Sequence, residues 1–567
     1  MIHPLRGVDF AYRLKFWIGG AMMAKHWRTR SLGILALLVV LAVLAGCSPF
    51  ARPTDPDEPA VPDTPRRVVI GQGTDVKSFD PPADWTSLAE WITQNAYDYL
   101  FYRSADQGEW IPELAYDWER RDELTYRFWI HEGVRFHDGS ELTAEDIKYT
   151  YRRIIEGPTE MFIVSDQYQW IDRIEIIDDY TFDVISKEPD SLFIFKLSQG
   201  NTGAGIVNKE HTEAVGHDGL HREPMGTGPW LLKEWVRDEH VLFERNEDYW
   251  QTDRFPTYDE LEYRIIPEAS TRVAELITGG IHLAHGVMAP DESRINEASG
   301  VSAIWSESAQ GFMLYPRQGV HPNHVGDPRL DREFTTRDPR IREAIELAID
   351  KYALRDIEGG TGEAFRARLF RPLEEANPAL FGPDACLYDP DRARELIGEA
   401  GYQPGEPYLF FDAREEWPFG DVGRTVVDML EEVGFNVEAR FQAESLWRSE
   451  VYHPAKNQEL YLVDLGGHFN PFFGTYGFQS HIMENVEYTG QGSAPAGLDD
   501  LLKTAWTEVE DDTRRIQAYH EASQIIADER INIGLYQRSL LWGISDRIEW
   551  TPRGDVEIWG YDITLLD

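Results

Sequence analysis

The chain has 567 residues and a net charge of −44, from 99 acidic against 55 basic side chains; 42% of residues are hydrophobic and 12% aromatic. That length holds several hydrophobic cores, and that composition belongs to a globular protein. The charge excludes nucleic acid, which needs a basic footprint, and speaks against an anionic membrane surface or a polyanionic ligand; it reads as a solvated acidic face.

Residues 23–47 read as a secretion signal. Lys25, Arg28 and Arg30 supply its charge, and Leu32–Ala45 is apolar but too short for a comfortable membrane span. It ends in Leu44-Ala45-Gly46-Cys47, the pattern of the bacterial lipobox. Cys47 is therefore expected to carry the lipid that holds the protein on a bilayer without spanning it. Residues 1–22 are an awkward extension, and Met22 or Met23 makes a better start. Ser48–Arg67, rich in Pro, Asp and Glu, reads as a flexible tether. Cys386 is the one other cysteine, so neither a disulfide framework nor a thiol metal cluster is expected.

The folded body opens on a short β-branched strand, Val68–Ile70, and a turn-rich stretch, Gly71–Pro82. Trp85 and Trp91 follow on a loop and a helix with Leu88, Ile92 and Ala96. Leu124–Ile130 alternates like a strand. In His131–Lys148, His137-Asp138-Gly139 is a hairpin turn, and Thr143 caps a helix with Asp146 three residues on. Ile147, Tyr151 and Ile154 line that helix's buried face. His137 has no neighbours at metal-ligand spacing and is read as a turn residue. Ile171–Ile185 makes two strands around Asp178-Asp179. Gly200–Gly205 is glycine-rich but lacks the Lys-Ser/Thr ending of a phosphate loop.

Pro224–Trp250 is the stretch that organises the rest. Gly226-Thr227-Gly228-Pro229 is a stiff turn, and Trp230–Val236 and His240–Arg245 form a hairpin around Arg237-Asp238-Glu239. Tyr258–Pro267 is a strand, and Ser270–Thr278 a helix stopped by Gly279-Gly280. After the polar loop His321–Arg337, Asp338 caps a helix with Pro339 at its first position and Ile341, Ile345, Ala348, Ile349 and Tyr352 along one side. Tyr388–Gly401 repeats that logic behind Asp389. Tyr408–Asp412, Val422–Val433 and Phe435–Phe441 are a strand, helix and strand of parallel-crossover length. Leu460–Leu465 is a buried strand, Leu498–Val509 and Asp511–Asp528 are helices, and Ile531–Trp542 is the last long strand.

Several of these strings resemble the extracellular solute-binding proteins of the peptide/nickel class, the receptors of ABC importers. The strongest are HEGVRFHDGSELTAEDIK at His131–Lys148 and GTGPW…FERNEDYW within Pro224–Trp250. Gly108–Glu119 and Asp338–Lys351 match as well, and the resemblance runs from about residue 68 to 560. It implies an α/β fold of two lobes, like other periplasmic binding proteins, with an extra subdomain inserted in lobe I. Lobe I would span 68–312 with the insertion near 101–216, and lobe II 313–530. Gly311–Gln318 would cross between them, and 531–567 would return to lobe I.

It also implies a receptor, monomeric and anchored through Cys47 in the cell envelope, that hands an unaltered solute to a permease's membrane subunits. No cofactor or metal is implied. Cys-x-x-Cys, His-Glu-x-x-His, Gly-x-Ser-x-Gly and Walker patterns are all missing, which opposes an enzyme. Peptide receptors of this class hold the ligand's amine with an Asp in a segment matching Asp464–Phe472. Here Asn470-Pro471 stands in the Asp-Pro place, Gly467 takes the amine-anchoring position, and Asp464 falls where a Trp is usual. The expected ligand contacts are Trp85, Asp464, Gly467, His468 and Asn470, with Trp417 and Trp447 as stacking faces. A peptide, an oligosaccharide and a metal chelate stay open as solutes, and a secreted hydrolase or a sensory lipoprotein as other roles.

Overall fold

The computed structural model describes residues 65–83, 87–103, 110–157, 165, 168–198, 203, 205–317, 333–367, 377–451, 459–465, 495–553 and 556–566. Cys47, Trp85, Gly467, His468 and Asn470 lie outside the described residues. Pro65–Asp567 makes one unit.

The strands are β1 (Arg67–Gln72), β2 (Phe101–Arg103), β3 (Trp110–Pro112), β4 (Ala115–Arg120), β5 (Thr125–Ile130), β6 (Ile171–Asp178), β7 (Thr181–Ser186), β8 (Trp230–Val236), β9 (His240–Arg245), β10 (Glu260–Ile265), β11 (Leu283–Val287), β12 (Val301–Pro316), β13 (Tyr408–Arg414), β14 (Asn436–Gln442), β15 (Leu460–Leu465) and β16 (Ile533–Ser545). Among them run the helices α1 (Ala144–Ile155), α2 (Ala269–Thr278), α3 (Pro339–Ala348), α4 (Pro390–Glu399), α5 (Phe419–Val433), α6 (Leu498–Thr507) and α7 (Asp512–Asp528).

One ten-stranded sheet carries the architecture, in the order β14-β13-β15-β12-β16-β11-β1-β10-β9-β8. β1 is parallel to both neighbours, β10 and β11, which explains why its sequence is a continuous apolar run rather than an alternation. On the other side β13 is parallel to β14 and β15, with α5 providing the crossover. β12 and β16 run antiparallel between the two sets, from Val301↔Ser545 to Leu314↔Ile533. A second, four-stranded sheet, β4-β5-β7-β6, forms the insertion, with α1 packed on it.

The local signals fold as their chemistry dictates. Asp146 Oδ2 accepts from the Thr143 amide at 3.0 Å, closing the capping box of α1. Asp338 and Asp389, each followed by Pro, cap α3 and α4 with their own carboxylates, which accept from the Arg340 and Arg392 amides. α3 is shorter than its apolar stripe: Ile349 is extended, and Asp350 accepts from the amides of Tyr352 and Ala353 to start a new helix, Lys351–Asp356. Tyr352 thus belongs to the second helix.

The Pro224–Trp250 hairpin is a brace. A Cβ on Gly226 would lie 2.1 Å from the Ala96 carbonyl oxygen, and one on Gly228 would lie 2.6 Å from the Ala96 carbonyl carbon and the Tyr97 nitrogen. No other residue allows that approach. Asp98, 1% exposed, then accepts from Thr227 Oγ1, Tyr249 OH and Trp250 Nε1 at 2.8–3.0 Å. His137 is a turn residue whose ring meets the Gly228 carbonyl at 3.0 Å.

Candidate functional site

Parallel strands all end on one edge, and ligands of open α/β sheets gather at such carboxyl ends. Here the ends of both strand sets converge on one place. β11 finishes at Val287 opposite Leu541 of β16, and β15 finishes at Leu465 opposite Gly311 of β12. Between those points the β12–β16 register breaks. Glu307 pairs with Ser539 and Gly311 with Gln537, so Ser308–Gln310 stand opposite Arg538 alone. The Gln537 side chain secures the bulge by donating to the Ser308 carbonyl at 2.5 Å.

Arg538 is the centre of the cluster at this break. Its guanidinium donates to Glu358 through Nη2 at 2.7 Å and Nε at 3.0 Å, and through Nη1 to Gln310 Oε1 and Asp464 Oδ2, each at 3.3 Å. Glu358 also accepts from the Tyr536 hydroxyl at 2.7 Å. Burial works against the Arg538 charge, but Glu358 and Asp464 outweigh it and hold the group firmly protonated. At the end of β13, Arg414 Nη2 donates to Asp464 Oδ1, and Nη1 to Glu444 at 3.0 Å. Its guanidinium lies 3.3 Å over the Phe419 ring and 5.3 Å from that of Trp447. Asp464 therefore sits between two guanidiniums and is more exposed than either.

The facing strand set contributes aromatics. The His285 ring lies 4.7 Å from Trp91 and 5.3 Å from Trp542, whose indole donates to Ser306 Oγ at 2.9 Å. Burial, then the Arg272 and Arg538 charges, push His285 down to about 3, so it is neutral at pH 7. Arg272 spends its donors on the carbonyls of Ile266, Pro267, His285 and Gly286, tying the chain just past β10 to the end of β11. The arrangement can bind charged groups and stack planar ones.

A recess lined by Glu333, Arg337, Arg340 and Tyr402 lies elsewhere. Thr335 in it bonds the Tyr408 carbonyl, at the opposite end of β13 from Arg414.

Of the residues expected from sequence, Asp464 and Trp447 meet at Arg414. Trp447 is 1% exposed, packed among Tyr461, Val463 and Trp506. Trp417 is 37% exposed on the turn between β13 and α5. The reading from sequence missed Arg414, Arg538, Gln310, Glu358 and His285. One signal was there: Gln537-Arg538-Ser539 is a polar run within a mostly apolar strand, buried along nearly its whole length.

The sequence model of the bacterial extracellular solute-binding proteins, family 5 (middle region), matches residues 109–481. The dipeptide-binding protein of Escherichia coli K12 is 24% identical over 465 residues, 76% of this chain and 82% of its own. The glutathione-binding protein GsiB of Pectobacterium atrosepticum is 27% identical over 372 residues, covering 65% and 68%. Among solved structures, the periplasmic binding protein DppA of Helicobacter pylori, in complex with the peptide STSA, superposes with a TM-score of 0.73. It is 21% identical and covers 88% of this chain and 98% of its own. The fold is thus the two-lobed α/β fold of periplasmic binding proteins, and the chain belongs to the bacterial extracellular solute-binding proteins of family 5.

Proposed function

We propose that this chain captures a small peptide-like solute at the β12–β16 register break and delivers it, unaltered, to the membrane subunits of an ABC importer. The observation that carries this is the charge pairing at Asp464, held by Arg414 and Arg538 at the edge where both strand sets end. A zwitterionic solute can exchange partners with such a cluster, its amine taking Asp464 and its carboxylate taking a guanidinium. An uncharged oligosaccharide would leave the cluster unused. The relatives named for dipeptides and glutathione, and the neighbour holding a peptide, support the same class.

In this reading lobe I is 68–312, with the insertion near 101–216; lobe II is 313–530, and 531–567 returns to lobe I. The lobes close on the solute about the paired strands β12 and β16. The receptor is a monomer held on the extracytoplasmic side of a bacterial membrane through acylated Cys47, and it turns nothing over.

The test is a melting-temperature screen of the purified chain with di- to tetrapeptides, glutathione, oligosaccharides and metal chelates. A solute at a hundred times its Kd stabilises the native state by about 2.7 kcal/mol. We expect a rise with peptides, their recovery intact, and loss of that rise in Asp464→Asn. A rise with oligosaccharides alone, or recovery of cleaved peptides, overturns the proposal.

A further inference from the structure

Apart from the register break, the inserted subdomain meets helix α6 of the half that carries β13–β15. The insertion carries Asp190–Lys196, and Phe193 roots this segment in its own subdomain, stacked on Tyr126 at 4.0 Å and edge-on to Trp170 at 4.8 Å. The opposite face points away. Leu192 and Phe195, 5% and 4% exposed, pack in the same core as Leu498, Leu502 and Trp506 of α6. The polar contacts there are directed at the end of that helix. The Ser191 amide donates to the Trp506 carbonyl at 2.8 Å, and Ser191 Oγ to the Ala505 carbonyl at 3.1 Å. Arg120, at the end of β4, donates to the Val509 carbonyl at 2.8 Å and pairs with Glu510. Lys196, paired with Asp190, lies 5.0 Å from the Trp506 ring and 5.3 Å from that of Trp170.

The last carbonyls of a helix have no partner within it, and the negative end of its dipole favours a cation. Here the cap for α6 comes from a distant part of the chain: Ser191 supplies the donors, and Lys196 and Arg120 the charge. Water can take over those carbonyls when the surfaces part, so the contact is one that can open.

From this we infer that Asp190–Lys196 and Arg120 form a latch between the lobes, made when they close and undone when they open. It lies apart from the solute site and adds to solute affinity by favouring the closed state. The inference rests on the two-lobe reading proposed above, but its first test needs no solute.

The test compares the whole chain with the variant Arg120→Ala, Asp190→Asn, Lys196→Met, which removes the latch charges without leaving one unpaired between Asp190 and Lys196. Small-angle X-ray scattering of the solute-free proteins should give the variant a larger radius of gyration. Amide hydrogen exchange should quicken at least tenfold at Ser191 while Phe128 and Phe182, in the four-stranded sheet, keep their protection. Superposable scattering profiles overturn the latch. So does loss of protection at Phe128 and Phe182 together with Ser191, since the contact would then be part of the subdomain's fold. Where the screen above supplies a binding peptide, the variant should bind it at least tenfold more weakly; unchanged affinity overturns the coupling to closure and leaves the receptor reading intact.

Discussion

Replacing Arg538 by Met removes a cation of similar length from the register break. Glu358, 5% exposed, then keeps only the Tyr536 hydroxyl among its described side-chain donors, while Asp464 keeps Arg414. A buried carboxylate stripped of its cation destabilises a fold by about 3–5 kcal/mol. Glu358→Gln removes the other charge but keeps the shape and an acceptor for Tyr536, and should cost about 2 kcal/mol. In the double variant neither charge is left stranded, so its loss should fall short of the sum by about 2 kcal/mol. Urea unfolding at pH 7, followed by both tryptophan fluorescence and circular dichroism, measures all four proteins, and coincident transitions license the comparison. Solute binding separates the two roles of Arg538. The double variant should recover part of its stability yet bind peptides at least tenfold more weakly than the parent chain. Single losses that add to within about 0.5 kcal/mol would refute the pairing argument; unimpaired binding by the double variant would remove Arg538 from the site.

Other regions give sharper tests of stability alone. His282 Nδ1 accepts from the Val69 amide at 3.0 Å, and burial, with Arg547 and Arg264, pushes this imidazole down to about 4. The unfolded chain binds that proton near pH 6.5, so the contribution is complete above 6.5 and is lost as pH falls toward 4, by about 3 kcal/mol. His282→Asn, whose amide oxygen can replace Nδ1, should flatten the melting curve across that window; an unchanged pH profile contradicts the assignment. Gly228→Ala forces a Cβ onto the Ala96–Tyr97 backbone and should cost about 3 kcal/mol, whereas Gly139→Ala, at φ +85° with open space around it, should cost about 1 kcal/mol. Equal losses in urea would count against the brace. With a net charge of −44, the melting temperature should climb between 0.1 and 1 M NaCl as self-repulsion is screened, and a flat or falling response would mean that surface repulsion is minor.

What could be read from sequence was what is settled locally. Thr143 with Asp146, Asp389 with Pro390, and Gly434 at φ +109° after α5 each fix an end of a helix within a few residues. The hairpin β8–β9 needs only its own turn, where Asp238 takes φ 60°. β12 was half-hidden because Ser306–Gln310 is polar and bulged, and becomes strand only against β15 and β16, more than a hundred residues away. The helix break at Ile349 was missed because the apolar spacing runs through it while the Asp350 cap overrides it. The site suffered most. Arg414, Asp464 and Arg538 lie on three strands that only the tertiary fold brings together. A tryptophan carries no local mark of burial, and Trp447 is enclosed while Trp417 faces water.

The position of β16 has a consequence for how the molecule is assembled. Among the described residues it is the last long strand in the chain, yet it lies in the middle of the sheet, flanked by β12 on one side and β11 on the other. Until residues 533–545 are in place, the main sheet exists as two separate pieces with bare inner edges, β14-β13-β15-β12 and β11-β1-β10-β9-β8. The strand acts as a keystone: it joins the two pieces and, with Arg538, installs the buried charge at the centre of the proposed capture site. A chain cut short anywhere before it cannot become a weaker receptor; it has no mouth at all.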